Sequence, residues 1–188
     1  MSALGEALRA LADVLDARQL RWFVFGAQAV AIRGAPRATQ DIDVTVEVDR
    51  DKLPELVDAL AAHGLRQRYP DIADELLANG AVLPLSHASG MEIDLVVAGS
   101  GLESIALGRA TRVQVDGVDA PIAHATDLIV MKVLAGRGKD LDDVRSLLAG
   151  GEADVDEARD LLGQLEDALG QSDLLPRLDE ALRDARSR

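Results

Sequence analysis

The sequence predicts an α+β fold, a mixed sheet flanked by helices and followed by an α-helical C-terminal section. Three features lead there. Strand-length apolar runs are interleaved with helical patterns over roughly the first two thirds of the chain. The segment Asp41–Val48, DIDVTVEV, alternates polar and apolar residues strictly. From Thr126 onward only helical periodicity remains. The expected division is a core over residues 1–125 and a helical section over 126–188.

Leu4, Leu8, Leu11 and Leu15 recur on one helical face, so the chain opens with an amphipathic helix ending near Arg18. Arg21–Gly26, RWFVFG, is a short apolar run closed by glycine and predicts a buried strand. Ala27–Ile32 is helical and is broken by Gly34-Ala35-Pro36. Leu53–His63 places Leu53, Leu56, Val57 and Leu60 on one face, with Gly64 to stop it. Ile72–Ala78 is a short helix. Ala81–His87 and Met91–Ala98 form a hairpin, and Leu102–Leu107 a short helix with Ser100 as its N-cap. Asp116-Gly117 joins strands Thr111–Val115 and Val118–Ile122 as a two-residue hairpin turn. Helices over Asp127–Ala135, Asp140–Leu148, Val155–Leu169 and Leu174–Ala185 complete the chain.

Composition excludes several functions. Aromatic residues make up 2% of the 188, too few to build stacking platforms for single-stranded nucleic acid. A net charge of -13 argues against nucleic-acid binding through a general field, so any RNA would need a local basic patch. The absence of cysteine removes disulfides, thiolate catalysis and cysteine zinc sites. No apolar stretch reaches membrane-spanning length, and the charged N-terminus is unlike a signal peptide, so a cytoplasmic location is expected by elimination.

Asp41 and Asp43 stand two apart on a strand, which points both carboxylates to one face and sends Ile42 and Val44 to the other. Such a pair repels itself unless a cation or proton intervenes, and a hard divalent cation with oxygen ligands suits it. Asp94 lies in a similar setting between Ile93 and Leu95, with Glu92 on its face as a rival. Taken alone, the DID run is also what the solvated face of an edge strand looks like. The preceding strand, Gly26 and helix supply a second signal, because free N–H groups at a helix N-terminus cradle phosphate. Phosphate beside paired carboxylates is the layout of metal-dependent phosphoryl or nucleotidyl transfer.

The stretch FVFGAQAVAIRGAPRATQDIDV resembles the opening motif of the DNA-polymerase-beta-like nucleotidyltransferases, most closely the AbiEii-type toxin branch. Arg37, Thr39, Asp41 and Asp43 match its Arg-x-Thr-x-Asp-x-Asp run, while Gly26-Ala27 replaces the usual Gly-Gly or Gly-Ser. MEIDLV resembles the strand bearing the third acid, at Asp94. ATDLIVMKVLAGRGKDLDDVRSLL resembles the C-terminal signature, with Lys132, Arg137, Lys139, Asp140 and Asp143 at its charged positions. The matches run from Phe23 to about Leu148; the last forty residues match nothing.

The resemblance implies a nucleotidyltransferase that moves a nucleoside monophosphate from a nucleoside triphosphate to a hydroxyl. Asp41, Asp43 and Asp94 would hold Mg2+, with Asp94 helping to deprotonate the acceptor. Gly26, Ala27, Arg37, Thr39, Lys132 and Arg137 would meet the nucleotide. In the toxin branch known acceptors include the 3′ end of tRNA, and a cognate antitoxin is an expected partner. An RNA acceptor would need Arg33, Arg37, Arg66 and Arg68, since the segment from Glu152 to Glu180 has only Arg159 and Arg177 among its acids. An aminoglycoside-type small-molecule enzyme and a catalytically idle binding module are the alternatives.

The remaining motifs have plainer explanations. Lys132 on an apolar helix could snorkel to water, Arg137 could serve a helix end, and Asp140 and Asp143 could favour a helix start. Gly136–Asp140 is no P-loop, because Val133 stands where its first glycine belongs and Asp140 where its Ser/Thr belongs. His63, His87 and His124 show no metal-ligand spacing.

Overall fold

The computed structural model describes residues 1–34, 39–78, 82–99 and 101–186. They form two compact units. The first comprises Met1–Phe25 with Thr39–Ala123; the second, the described residues of Gly26–Ala38 with those of His124–Arg188. The sheet belongs wholly to the first unit and the second is helical. Among the described residues no helix is long and apolar enough to cross a membrane.

The first unit holds helices α1 (Ala3–Ala17), α3 (Leu53–Ala62), α4 (Ala73–Ala78) and α5 (Gly101–Arg109), and the Ser2 side chain caps α1 by accepting from the Gly5 N–H at 3.1 Å. Strands β1 (Trp22–Phe25), β2 (Asp41–Val46), β3 (Leu65–Gln67), β4 (Val82–His87), β5 (Glu92–Val97), β6 (Thr111–Val115) and β7 (Val118–Ile122) make one mixed sheet ordered β3-β4-β5-β2-β1-β7-β6. The β2–β5 and β1–β7 pairs are parallel and the others antiparallel. Asp116 and Gly117, at φ 50° and 79°, make the β6–β7 turn. The sequence misses β3, because three residues are too few to show an alternation.

Register builds the core. Leu85, Ile93 and Ile42 are aligned across β4, β5 and β2; Leu83, Leu95, Val44, Val24 and Ile122 form the next apolar row. Each of these is at most 1% exposed. The row between them, on the other face, is chemically different and carries the acids.

The second unit contains α2 (Gly26–Arg33), α6 (Ala125–Ala135), α7 (Gly138–Gly150), α8 (Val155–Leu169) and α9 (Leu174–Arg186). Helix α2 begins at Gly26, directly after β1, and Gly26 has φ 66°, a conformation L side chains rarely adopt. Here α6 packs on α7 and α8, α7 on α9, and α2 on both α6 and α7. The expected N-cap Ser100 lies outside the described residues.

Truncating the apolar row tests this core. Ile93→Ala removes a fully buried side chain between Leu85 and Ile42, and should cost about 2–5 kcal/mol in urea denaturation.

Candidate active site

Parallel pairing of β2 with β5 sets Asp43 beside Asp94 and Asp41 beside Glu92. Partners in register share a face, and so do residues two apart on one strand. All four carboxylates therefore lie on the face opposite Ile42, Val44, Ile93 and Leu95. Extended across the sheet, one row runs Pro84–Asp94–Asp43–Phe25 and the next Arg66–Ser86–Glu92–Asp41. Asp41, Asp43 and Asp94 are half-buried, whereas Glu92 is exposed. The structure thus brings the three sequence-predicted acids onto adjacent strands.

Among the described residues, Thr39 and Arg68 bond to these acids. Thr39 donates its hydroxyl to the Asp41 carboxylate. Arg68 donates from Nη2 to Asp94 Oδ1 at 2.5 Å and from Nη1 to Glu92 Oε2. The sequence expectation assigns Arg68 to an RNA acceptor, although it also carries a signal for this pairing. Arg66/Arg68, Glu92/Asp94 and Asp41/Asp43 share the spacing of two that aligns charges on strands.

The donor chemistry suits a hard cation, since Asp41, Asp43, Glu92 and Asp94 offer carboxylate oxygens on this face. Among the described residues no group of three His, Asp or Glu side chains is gathered closely enough to cage an ion. A magnesium ion does not require such a cage, because it keeps waters and substrate phosphates in its shell.

The other predicted residues fall elsewhere. Gly26 and Ala27 open α2 in the helical unit, and Arg37 lies outside the described residues. Lys132 is 6% exposed, and its ammonium binds Asp143 Oδ2 at 2.7 Å and Asp140 Oδ1 at 3.2 Å. Arg137 is the N-cap of α7: its N–H donates to Asp140 Oδ2 at 3.1 Å, and its Nε to the same oxygen at 2.6 Å. A triphosphate contact by Lys132 would thus require exchange of partners it already has. Burial pushes the Asp140 carboxyl up, but bonds from Arg137 and Lys132 outweigh it and leave the group below its ordinary value near 3.8.

Of the arginines proposed for RNA, Arg66 is exposed on β3, and Arg33 ion-pairs with Glu152 at 3.6 Å in the helical unit. Arg159 and Arg177 pair within the acidic segment, with Asp179 and Asp173. His63 bonds Ala59 O at 2.9 Å, His87 ends β4, and His124 caps α6.

The fold is that of the nucleotidyltransferases, as solved structures show. The antibiotic-resistance factor ANT(2'')-Ia in solution superposes with TM-score 0.62 at 13% identity, covering 90% of this chain and 95% of that one. Its crystal structure with adenylyl-2''-tobramycin gives TM-score 0.56 at 14% identity, covering 88% and 96%. An antigenic nucleotidyltransferase-like protein from Paracoccidioides brasiliensis gives 0.54 at 18% identity, covering 96% and 91%. No curated protein matches the chain. Residues 2–173 match the family model described as "Nucleotidyltransferase of unknown function (DUF6036)", and the chain belongs to that family. It is a nucleotidyltransferase enzyme.

The buried cation gives a stability test. Lys132→Met leaves Asp140 and Asp143 without their shared partner and should cost about 3–5 kcal/mol. Because the folded-state pKa of Asp140 is depressed, its stabilisation is present above its unfolded value near 3.8 and fades as pH falls through the folded value. Acid denaturation should show this loss in the wild type and a smaller one in Asp140→Asn.

Proposed function

We propose that this enzyme moves a nucleoside monophosphate from a nucleoside triphosphate to a hydroxyl acceptor, with Asp41, Asp43 and Asp94 holding Mg2+. The supporting observation is the register that sets Asp43 against Asp94, with Asp41 on the same face. Asp94 also receives the acceptor proton. Thr39 keeps the Asp41 carboxylate oriented through its hydroxyl. When bound, the metal would supply positive charge to the triphosphate and favour the ionised acceptor oxygen. The sequence motifs assign Gly26, Ala27 and Arg37 to the phosphates. Lys132 and Arg137 belong to that set only if they release Asp140.

Two acceptor classes suit this reaction. The net charge of -13 favours a small cationic polyhydroxyl compound of the aminoglycoside type. Engagement of Arg68 by two carboxylates and of Arg33 by Glu152 also thins the basic patch an RNA would need. The motif resemblance to AbiEii-type toxins favours the tRNA 3′ end, with a cognate antitoxin as partner in the cytoplasm.

Labelled nucleoside triphosphates with Mg2+, offered total RNA or an aminoglycoside panel, decide both questions. Transfer should stop on chelation. Asp41→Asn, Asp43→Asn and Asp94→Asn should each lose more than the roughly 10–100-fold that follows removal of a metal ligand's supporting partner. Full transfer by either Asp41→Asn or Asp43→Asn overturns the assignment. Label on RNA selects the toxin reading, and label on the small molecule selects the other.

A further inference from the structure

We propose that Arg68 is a positioning residue of the acid face: it withdraws Glu92, holds one oxygen of Asp94, and limits how tightly the face takes a divalent cation. The proposal rests on the metal-site reading above. Four carboxylates share this face, yet they are not equivalent. Asp94 lies opposite Asp43, while Glu92 lies opposite Asp41 one row away.

Arg68 follows β3, two strands from β5. Its N–H donates to Pro84 O at 2.9 Å, which fixes its backbone level with the residue that opposes Asp94 on β4. The side chain therefore crosses β4 to reach β5, and Pro84 presents no competing side-chain donor or acceptor there. Tyr69 supports the guanidinium from its ring, 5.8 Å from ring centre to guanidinium carbon. The two Nη atoms divide between Glu92 and Asp94. Buried Nε finds no hydrogen-bond partner among the described residues, so the fork is placed for the carboxylates at the expense of its own third donor.

Two consequences follow. Glu92, the more exposed acid, is tied to a cation on the β4 side. Among the described residues Asp94 is engaged through Oδ1 alone, which orients the carboxylate while its other oxygen can ligate. A fixed positive charge this close also opposes a divalent cation, even at the high dielectric of a half-exposed face. Removing it should tighten metal binding, the reverse of what a scaffolding role predicts.

The test is binding of Mn2+ alone to the full chain without nucleotide, read by electron paramagnetic resonance of free Mn2+. Arg68→Gln should bind about tenfold more tightly than wild type. Arg68→Lys keeps the charge and loses the fork, so it should bind as wild type does while transfer falls. Glu92→Gln, at an exposed position, should retain Mn2+ binding, whereas Asp94→Asn should lose it. Unchanged or weaker binding by Arg68→Gln overturns the proposal. So does a loss in Glu92→Gln as large as that in Asp94→Asn, a result that stands even if Arg68→Gln fails to fold. Absence of Mn2+ binding in the wild type, or binding that survives Asp43→Asn, overturns the metal-site reading and this proposal with it.

Discussion

The parallel pairing of β2 with β5 is the constraint on which the site depends. Ile42 against Ile93 and Val44 against Leu95 bury apolar surface on one face of this pair. The same register, acting through the pleat, aligns carboxylates on the other. A slip of one residue would reverse every side chain on β5, exposing the core and burying the acids. Hydrophobic burial thus specifies the position of like charges that would otherwise separate. The repulsion is tolerated because the acid side remains partly hydrated and because Arg68 and Thr39 bond to it.

The helical unit resolves a different electrostatic problem. Lys132, Asp140 and Asp143 are all buried, and one ammonium serves two carboxylates. Burying ions costs several kcal/mol each, so this trio adds less stability than its short distances suggest. Its value is geometric: it joins α6 to the first turns of α7, and Asp140 simultaneously accepts from the Arg137 N–H at the start of that helix.

Local periodicity made much of this legible. The spacing of Asp41 and Asp43, the Asp116-Gly117 turn and the leucines of α1 are properties of neighbouring residues, and each element follows from them. The partner of a strand is not local. Nothing in DIDV or EIDLV alone states that Asp43 faces Asp94, and only the motif order suggested it. The sequence places Arg68 among the cations available to an acceptor, because its carboxylate partners lie two strands away. Lys132 posed the opposite difficulty. A lysine on a thoroughly apolar helix reads as snorkelling or ligand-binding until the burial of Asp140 and Asp143 is known, and polar residues at a helix start ordinarily indicate exposure.

The order in which the strands meet has a consequence for folding. The β4–β5 and β6–β7 pairs are hairpins whose partners are close in sequence, so little loop entropy opposes their closure. Joining β2 to β5 closes a far longer loop, one that contains α3 (Leu53–Ala62), β3 and β4. Until that closure the aspartates of β2 and the acids of β5 are separate, weakly interacting charges. The acid face is accordingly a property of the completed sheet, and partly assembled chains present no concentrated negative face to attract cations.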